Sequence, residues 1–172
     1  MATVTTRMQR TNTGYIPWLD PAFVPHLFDQ LSEFATEIAE LGAQKTADII
    51  DEETHGVGRL AAGIGKYDSS RLKGDSESVE SDAYFLKEDK GNVLLREYGT
   101  NVPYAAAVDL GYEVTNPRRV LLPNGRWVYI KPQTFGGRHF FDRGLSALIS
   151  SGEMNARFKA RMDNVAAAWK NK

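Results

Sequence analysis

Cysteine is absent from the 172-residue sequence, and histidine occurs only three times. Without cysteine the chain has no disulfide framework, no thiolate zinc site and no cysteine nucleophile, which excludes several classes of enzyme. His26, His55 and His139 lie far apart, and none has the partner spacing of a compact metal motif such as H-E-x-x-H. We therefore expect no metal site, no cofactor and no catalytic residue.

Long apolar runs are also missing. No stretch approaches the roughly 20 apolar residues of a membrane-spanning helix, and the first residues, MATVTTRMQRTNTGY, lack the apolar core of a secretory signal. The sequence contains no P-loop, no G-x-G-x-x-G fingerprint and no G-x-S-x-G element. The lack of a membrane-spanning stretch and of a secretory signal predicts a cytosolic protein that does not bind a membrane.

The composition is that of an ordinary globular protein, with 42% hydrophobic and 25% charged residues. A chain of this length buries roughly 70% of its unfolded surface, so a stable core needs neither a metal nor a cross-link. We expect one domain over residues 25–172. Residues 1–24 are polar and then rich in proline and aromatics, without a helical or strand period, and are predicted to form an extended arm. The arm either folds back onto its own core or lies over a neighbouring subunit.

Charge is distributed unevenly along the chain, although the net charge is only −1. Residues 1–110 hold 10 Lys and Arg against 18 Asp and Glu, a net charge of −8, whereas residues 111–172 hold 11 against 4, a net charge of +7. One interpretation is a solvated surface with chance clustering. The other is self-complementarity, in which surfaces of opposite sign attract copies head to tail and a closing rotation makes a ring.

A long amphipathic helix is predicted to begin at Pro25, which suits a first helical turn. Apolar residues then recur in steps of three and four, at Leu27, Leu31, Phe34, Ile38 and Leu41. After it we expect a strand at residues 59–67, a mobile loop at 68–78, and a β-hairpin formed by 79–88 and 93–98 around a glycine-containing turn.

The second half of the chain is predicted to contain a short helix over residues 104–110, which Gly111 stops, and a second hairpin formed by 119–122 and 126–130. This hairpin has apolar or aromatic residues on both faces, so we expect something to cover it. Helices over 138–150 and 153–169 follow. The order predicts an α+β fold in which a long N-terminal helix packs on an antiparallel β-sheet, with a protruding β-hairpin and C-terminal helices.

Three segments, in this order, resemble signatures of the head-to-tail joining proteins of tailed bacteriophages. Residues 54–60 (THGVGRL), followed by Gly63 and Ile64, resemble the threonine, glycine, arginine and leucine signature that comes after the family's long first helix. Residues 104–111 (YAAAVDLG) resemble its tyrosine-alanine, valine, acid and glycine element. Residues 138–145 (RHFFDRGL) stand where the family enters its C-terminal helix.

The resemblance implies a structural, non-enzymatic virion protein that forms a ring at the phage neck and joins the head connector to the tail. Its implied partners are five or eleven further copies of itself, a head-completion or connector protein, and a tail terminator or tail tube protein. Genomic DNA would pass through the lumen without sequence-specific binding. The implied location is the phage neck or tail, after assembly in the host cytoplasm.

Obligate ring interfaces concentrate their binding energy in aromatic and arginine anchors. The residues of this kind that we expect at the oligomer or partner interface come from the arm and from the second hairpin, and they are Tyr15, Trp18, Phe23, Arg118, Arg119, Arg126, Trp127 and Tyr129.

Two other functions remain open from the sequence. The first is a nucleic-acid-binding module that uses the basic C-terminal region, although a sequence pI near 6.3 argues against a dedicated DNA binder. The second is a small hydrolase or metal-dependent enzyme whose site assembles only in three dimensions.

Overall fold

The computed structural model describes residues 2–9, 23–54, 58–72, 80–91, 93–122 and 124–170. The helices in these ranges are α1 (Phe23–Thr54), α2 (Gly58–Ala62), α3 (Ala105–Leu110), α4 (Phe140–Ser150) and α5 (Glu153–Lys170). The strands are β1 (Ala2–Gln9), β2 (Ala83–Lys90), β3 (Val93–Thr100), β4 (Gly111–Val114), β5 (Arg118–Leu121), β6 (Trp127–Ile130) and β7 (Gln133–Gly136). The predicted α+β fold is confirmed. Among the helices of the described ranges, none combines the length and apolar character needed to cross a membrane.

Helix α1 is the central element, because β3, α2, α4 and α5 all pack against it. Its predicted apolar stripe is confirmed, and Phe34, Ile38 and Leu41 are buried. Small side chains let its neighbours approach closely. At the crossing with α4, a Cβ atom added to Gly144 would lie 2.1 Å from Thr46 Oγ1, so only glycine fits there. The buried alanines of α1, one per turn, are Ala35, Ala39, Ala43 and Ala47.

A three-stranded antiparallel sheet with the order β1-β3-β2 packs on α1. The first predicted hairpin is confirmed as β2 and β3, with Gly91 at a positive φ of 56° in the turn. Strand β1 corrects the expectation that residues 1–24 lack regular structure. It pairs with β3 from Ala2↔Thr100 to Gln9↔Val93, and residues 3–6 are all β-branched, which favours a strand. The rest of the predicted arm, residues 10–22, lies outside the described residues.

The strand predicted at residues 59–67 is wrong. This segment begins as the helix α2 and continues as a turn, in which Gly65 N–H donates to Gly99 O at 2.9 Å. Leu60, Ala61 and Ile64 are all buried, and a short apolar run that is buried on every side has no period that separates strand from helix. In the predicted loop, Ser69–Arg71 forms a 3-10 turn, and residues 73–79 lie outside the described residues.

The elements of the second half are confirmed. Helix α3 ends at Gly111, the second hairpin is β5 and β6, and α4 and α5 follow. Two short strands that were not predicted, β4 and β7, pair with each other and lengthen this hairpin toward the body of the domain. Of the four apolar residues that the sequence places on one side of α4, Phe141 and Leu148 are buried, whereas Leu145 and Ile149 are exposed.

A fully buried arginine ties the sheet to α1. Arg96 on β3 is 0% exposed, and its guanidinium donates to Thr36 Oγ1 at 2.7 Å and to Ser32 Oγ at 2.6 Å on α1. It also donates to Asp89 Oδ1 at 2.5 Å at the end of β2. The hydrogen bond from Arg96 lowers the pKa of Asp89, and Ser32 Oγ donates to the same carboxylate. The buried guanidinium therefore has the carboxylate and hydroxyl partners that its burial requires.

Replacing Asp89 by alanine should lower the free energy of unfolding at pH 7 by about 3 kcal/mol, because it leaves a buried guanidinium without its carboxylate. The loss should shrink at low pH. A carboxylate whose pKa is lowered by folding stabilises the native state above its unfolded pKa, about 3.9 for Asp, and loses that contribution as the pH falls through the folded pKa. Urea unfolding at pH 7 and pH 3 measures both effects.

The matched control is Asp163→Ala, which removes an exposed ion pair between Asp163 and Lys159 on α5. It should change the unfolding midpoint very little. Equal losses for the two alanine variants, or a loss for Asp89→Ala that does not depend on pH, would contradict the role assigned to Arg96.

Candidate functional site

The chain from β4 to β7 forms a long two-stranded structure, which we call the ribbon (residues 111–136). Strands β4 and β7 pair at its base, and β5 and β6 pair toward its tip. At the tip, Gly125 has a φ of 77° and Asn124 Oδ1 accepts a hydrogen bond from Arg126 N, as expected for a tight turn. No described part of the chain covers either face of the outer half.

Both faces of the outer ribbon carry apolar side chains. The cross-strand pairs Arg119↔Tyr129 and Leu121↔Trp127 share one face, and Val120↔Val128 lies on the other. Trp127 is 61% exposed, Tyr129 58% and Leu121 52%. An isolated two-stranded hairpin is marginally stable in water, and this one leaves large aromatic surface in solvent. The expected cover is therefore absent from the described part of the single chain.

At the base of the ribbon, close contacts restrict the backbone conformation and the positions of the side chains. Gly111 has φ 83° and ψ 173°, a region that is nearly exclusive to glycine, and a Cβ atom there would lie 2.4 Å from Phe135 O. Tyr112 and Phe135 stack across the base strands with ring centroids 4.5 Å apart. The buried Asp109 carboxylate accepts a hydrogen bond from Phe141 N at 3.3 Å, which joins the start of the ribbon to α4.

The return strand is fixed as well. Arg138 N donates to Val108 O at 3.0 Å, and His139 N donates to Asp109 O at 2.9 Å. The side chains of Arg138 and Arg143 both form ion pairs with Glu53 near the end of α1. With both of its ends bonded to the body, the base of the ribbon is held in a defined position.

The ribbon is basic. Residues 111–136 contain four Lys and Arg against one acid, Glu113. Residues 23–54, which form α1, contain eight Asp and Glu against one Lys. The charge asymmetry of the sequence is thus also an asymmetry between two structural elements, one exposed and protruding, the other central.

The candidate interface residues fall into three groups. Arg118, Arg119, Arg126, Trp127 and Tyr129 all lie on the outer ribbon, and all are exposed. Phe23 is the first residue of α1 and is half-buried, away from that group in the chain. Tyr15 and Trp18 lie outside the described residues.

A second candidate site, a cavity, is not predicted by any sequence pattern. A cavity of about 220 Å³, which we call the α1–β2 cavity, opens to solvent between α1, α2 and β2. Its apolar lining is contributed by Ala43, Ala47, Ala61, Ile64 and Phe85. Three segments distant in the sequence form it, and no local pattern signals such a convergence.

The mouth of the α1–β2 cavity is charged. Lys66 Nζ bonds Glu40 Oε1 at 2.5 Å, and the Arg71 guanidinium bonds Asp48 Oδ1 at 2.7 Å and Asp51 Oδ2 at 2.8 Å. The Ser70 hydroxyl donates to Asp68 Oδ1 at 2.6 Å, and this hydrogen bond lowers the pKa of Asp68. Four carboxylates thus face two cations.

Within the described ranges, no group of three His, Cys, Asp or Glu side chains is close enough to hold a metal ion. Comparison with protein-family models, with characterised proteins and with solved structures finds no match for this chain. The fold and its exposed ribbon therefore define the class only as an α+β domain with a protruding basic and aromatic β-ribbon.

Replacing Gly111 by alanine should lower the free energy of unfolding by about 1–3 kcal/mol, because its backbone conformation is nearly closed to other residues and the added Cβ meets Phe135 O. Thermal or urea unfolding measures the change. Gly136→Ala is the matched control in the same ribbon, since nothing lies within 4 Å of its added Cβ. A destabilisation by Gly136→Ala as large as that by Gly111→Ala would contradict the conclusion that the ribbon base specifically requires glycine at position 111.

Proposed function

We propose that the chain is a structural ring subunit at the neck of a tailed bacteriophage, with no catalytic role. In this proposal it joins the head connector to the tail and surrounds the DNA channel. Its neighbours are further copies of itself, a head-completion or connector protein, and a tail terminator or tail tube protein. DNA passes through the lumen without sequence-specific contacts, and the protein resides in the virion.

The observation that carries the proposal is where the three resembling segments lie in the fold. Leu60, Ala61 and Ile64 of the first segment, Ala105 of the second, and Phe140 and Phe141 of the third belong to one hydrophobic cluster. Segments about 40 residues apart in the sequence thus build a single core. Motifs that meet in one core behave as the signature of a fold, which supports the resemblance more strongly than three unrelated matches would.

The ribbon supplies a surface suited to assembly. Specific ring contacts bury on the order of 2,000 Å² or more and place aromatic and arginine side chains at their centre. The outer ribbon offers Trp127 and Tyr129 beside Arg119, all exposed and projecting from a fixed base. A structural subunit explains this exposed surface better than a lone enzyme, which has no need of it.

The proposal is tested by mixing the protein with phage heads that carry their connector and observing them by negative-stain microscopy. A variant in which residues 116–131 are replaced by an Asn-Gly turn keeps β4, β7 and the ribbon base. We expect the full chain to add a ring at the connector, and the shortened chain to fold with the same circular dichroism but to add none.

Lys159→Ala, an exposed change on α5 away from the ribbon, serves as the control and should decorate heads like the unchanged protein. The proposal is wrong if the unchanged protein leaves connector-bearing heads bare. If the shortened chain decorates the heads fully, the ribbon is not part of the interface.

One observation favours nucleic-acid binding as a second candidate: the ribbon has four cations against one acid, and its four aromatic residues, Tyr112, Trp127, Tyr129 and Phe135, are exposed. Binding through phosphates should weaken with salt, with a slope of log K against log salt of about −0.9 for each phosphate contact on duplex DNA. Fluorescence anisotropy with a DNA duplex measures it. The ring proposal predicts weak binding at physiological salt, whereas tight binding that Arg119→Ala reduces would favour this candidate.

A further inference from the structure

The ribbon and the α1–β2 cavity are each incomplete in a single copy. Trp127 is 61% exposed, so the indole does not enter its own chain's cavity. The cavity is open to solvent, with buried apolar side chains at its floor and polar side chains at its mouth. A projecting aromatic side chain and an open apolar recess on the same molecule are the two halves of a head-to-tail contact between copies.

We propose that the ribbon of one copy docks on its neighbour, with Trp127 inserted into the neighbour's α1–β2 cavity. The inference rests on the proposed ring function and names the contact that builds the ring. Trp127 is the central anchor, and the charged groups around the cavity mouth and on the ribbon fix its orientation.

Size permits the insertion. A cavity of about 150 Å³ holds a benzene ring, and this cavity measures about 220 Å³, which leaves room for the larger indole. The floor of the cavity is apolar, because the buried core residues Ala47, Ala61 and Ile64 lie at it. The half-buried Phe85 ring lines one side, with Lys66 Nζ 5.7 Å from the ring centroid. Burial of an exposed indole in such a recess is typical of an interface hot spot.

Charge selects this arrangement over ribbon-to-ribbon pairing. Two ribbons side by side would bring together four cations from each copy, with only one carboxylate per ribbon, Glu113. Glu40, Lys66, Asp68 and Arg71 line the cavity mouth. Asp48 and Asp51 pair with Arg71 beside it, so that the group as a whole has four carboxylates against two cations. Arg119 lies on the same face of the ribbon as Trp127, and Arg126 precedes Trp127 in the chain. The insertion therefore places cations at an acidic rim.

The contact is also heterologous, because the two surfaces lie on different elements of the chain. Such contacts repeat from copy to copy and close into a ring when the rotation allows. The fixed base of the ribbon reduces the entropy lost on docking, since the strands are ordered before they bind.

The absence of cysteine makes a direct test possible. Tyr129→Cys places one thiol beside Trp127, and Gln44→Cys places one at the exposed edge of the cavity. The two single-cysteine proteins are mixed, assembled on connector-bearing heads, and treated with a short bis-maleimide. We expect a cross-linked heterodimer that requires both variants. Thr134→Cys near the ribbon base, mixed with Gln44→Cys, is the control and should yield none.

A second measurement does not depend on cross-linking geometry. Trp127→Ala should leave the thermal unfolding midpoint unchanged, since the side chain is mostly exposed, and should weaken assembly at least about 30-fold, as expected for a hot-spot aromatic. Ile149→Ala on α4, an apolar side chain that is 58% exposed, should leave assembly unchanged.

The outcomes separate this inference from the function on which it rests. Rings that form on the heads without the Tyr129–Gln44 cross-link, and equally well with Trp127→Ala, would overturn the docking of the ribbon and leave the ring function standing. Unchanged protein that forms no ring under any condition would overturn both. Cross-links that form equally with the Thr134→Cys control would also overturn the specific insertion.

Discussion

Close packing along α1 determines how the helices and the three-stranded sheet are arranged. One alanine per turn allows the sheet and the helices to approach the α1 backbone, and Gly144 brings α4 against Thr46 with no space for a side chain. Interiors packed to this density tolerate little change in volume. In the described part of the chain β3, α2, α4 and α5 pack on α1, whereas the outer ribbon strands β5 and β6 pack mainly on each other.

A polar contact completes this arrangement. Arg96 would be costly to bury alone, but its hydrogen bonds to Ser32, Thr36 and Asp89 join helix, central strand and hairpin turn at one point. The contact fixes the register between α1 and β3. The ribbon thus leaves a domain whose helix and sheet are joined by buried hydrogen bonds as well as by apolar packing.

Much of the fold could be predicted from the sequence, because its signals are local. The three- and four-residue steps from Leu27 to Leu41 indicate α1, and the turn around Gly91 indicates the first hairpin. Strand β1 was missed because its partner, Thr100 for Ala2, is distant in the sequence. The α2 segment was misassigned because a short run buried on all sides has no period. Arg96 was missed because a charged residue in a strand normally faces solvent.

The candidate site was predictable in part for the same reason. Arg118, Arg119, Arg126, Trp127 and Tyr129 belong to one hairpin, so local pattern alone placed them together. The α1–β2 cavity needed three separate segments and had no signal in any of them. No sequence pattern connects the ribbon with the cavity, because the openness of both is visible only in the folded chain.

The central claim is that copies of this chain associate through the ribbon into a closed ring. Sedimentation velocity of the full chain, alone at increasing concentration and mixed with connector-bearing phage heads, tests it most directly. The account predicts a fixed number of copies bound per head, or one closed species of fixed stoichiometry in solution. A single 19.1 kDa species at every concentration, with none sedimenting with the heads, would contradict it.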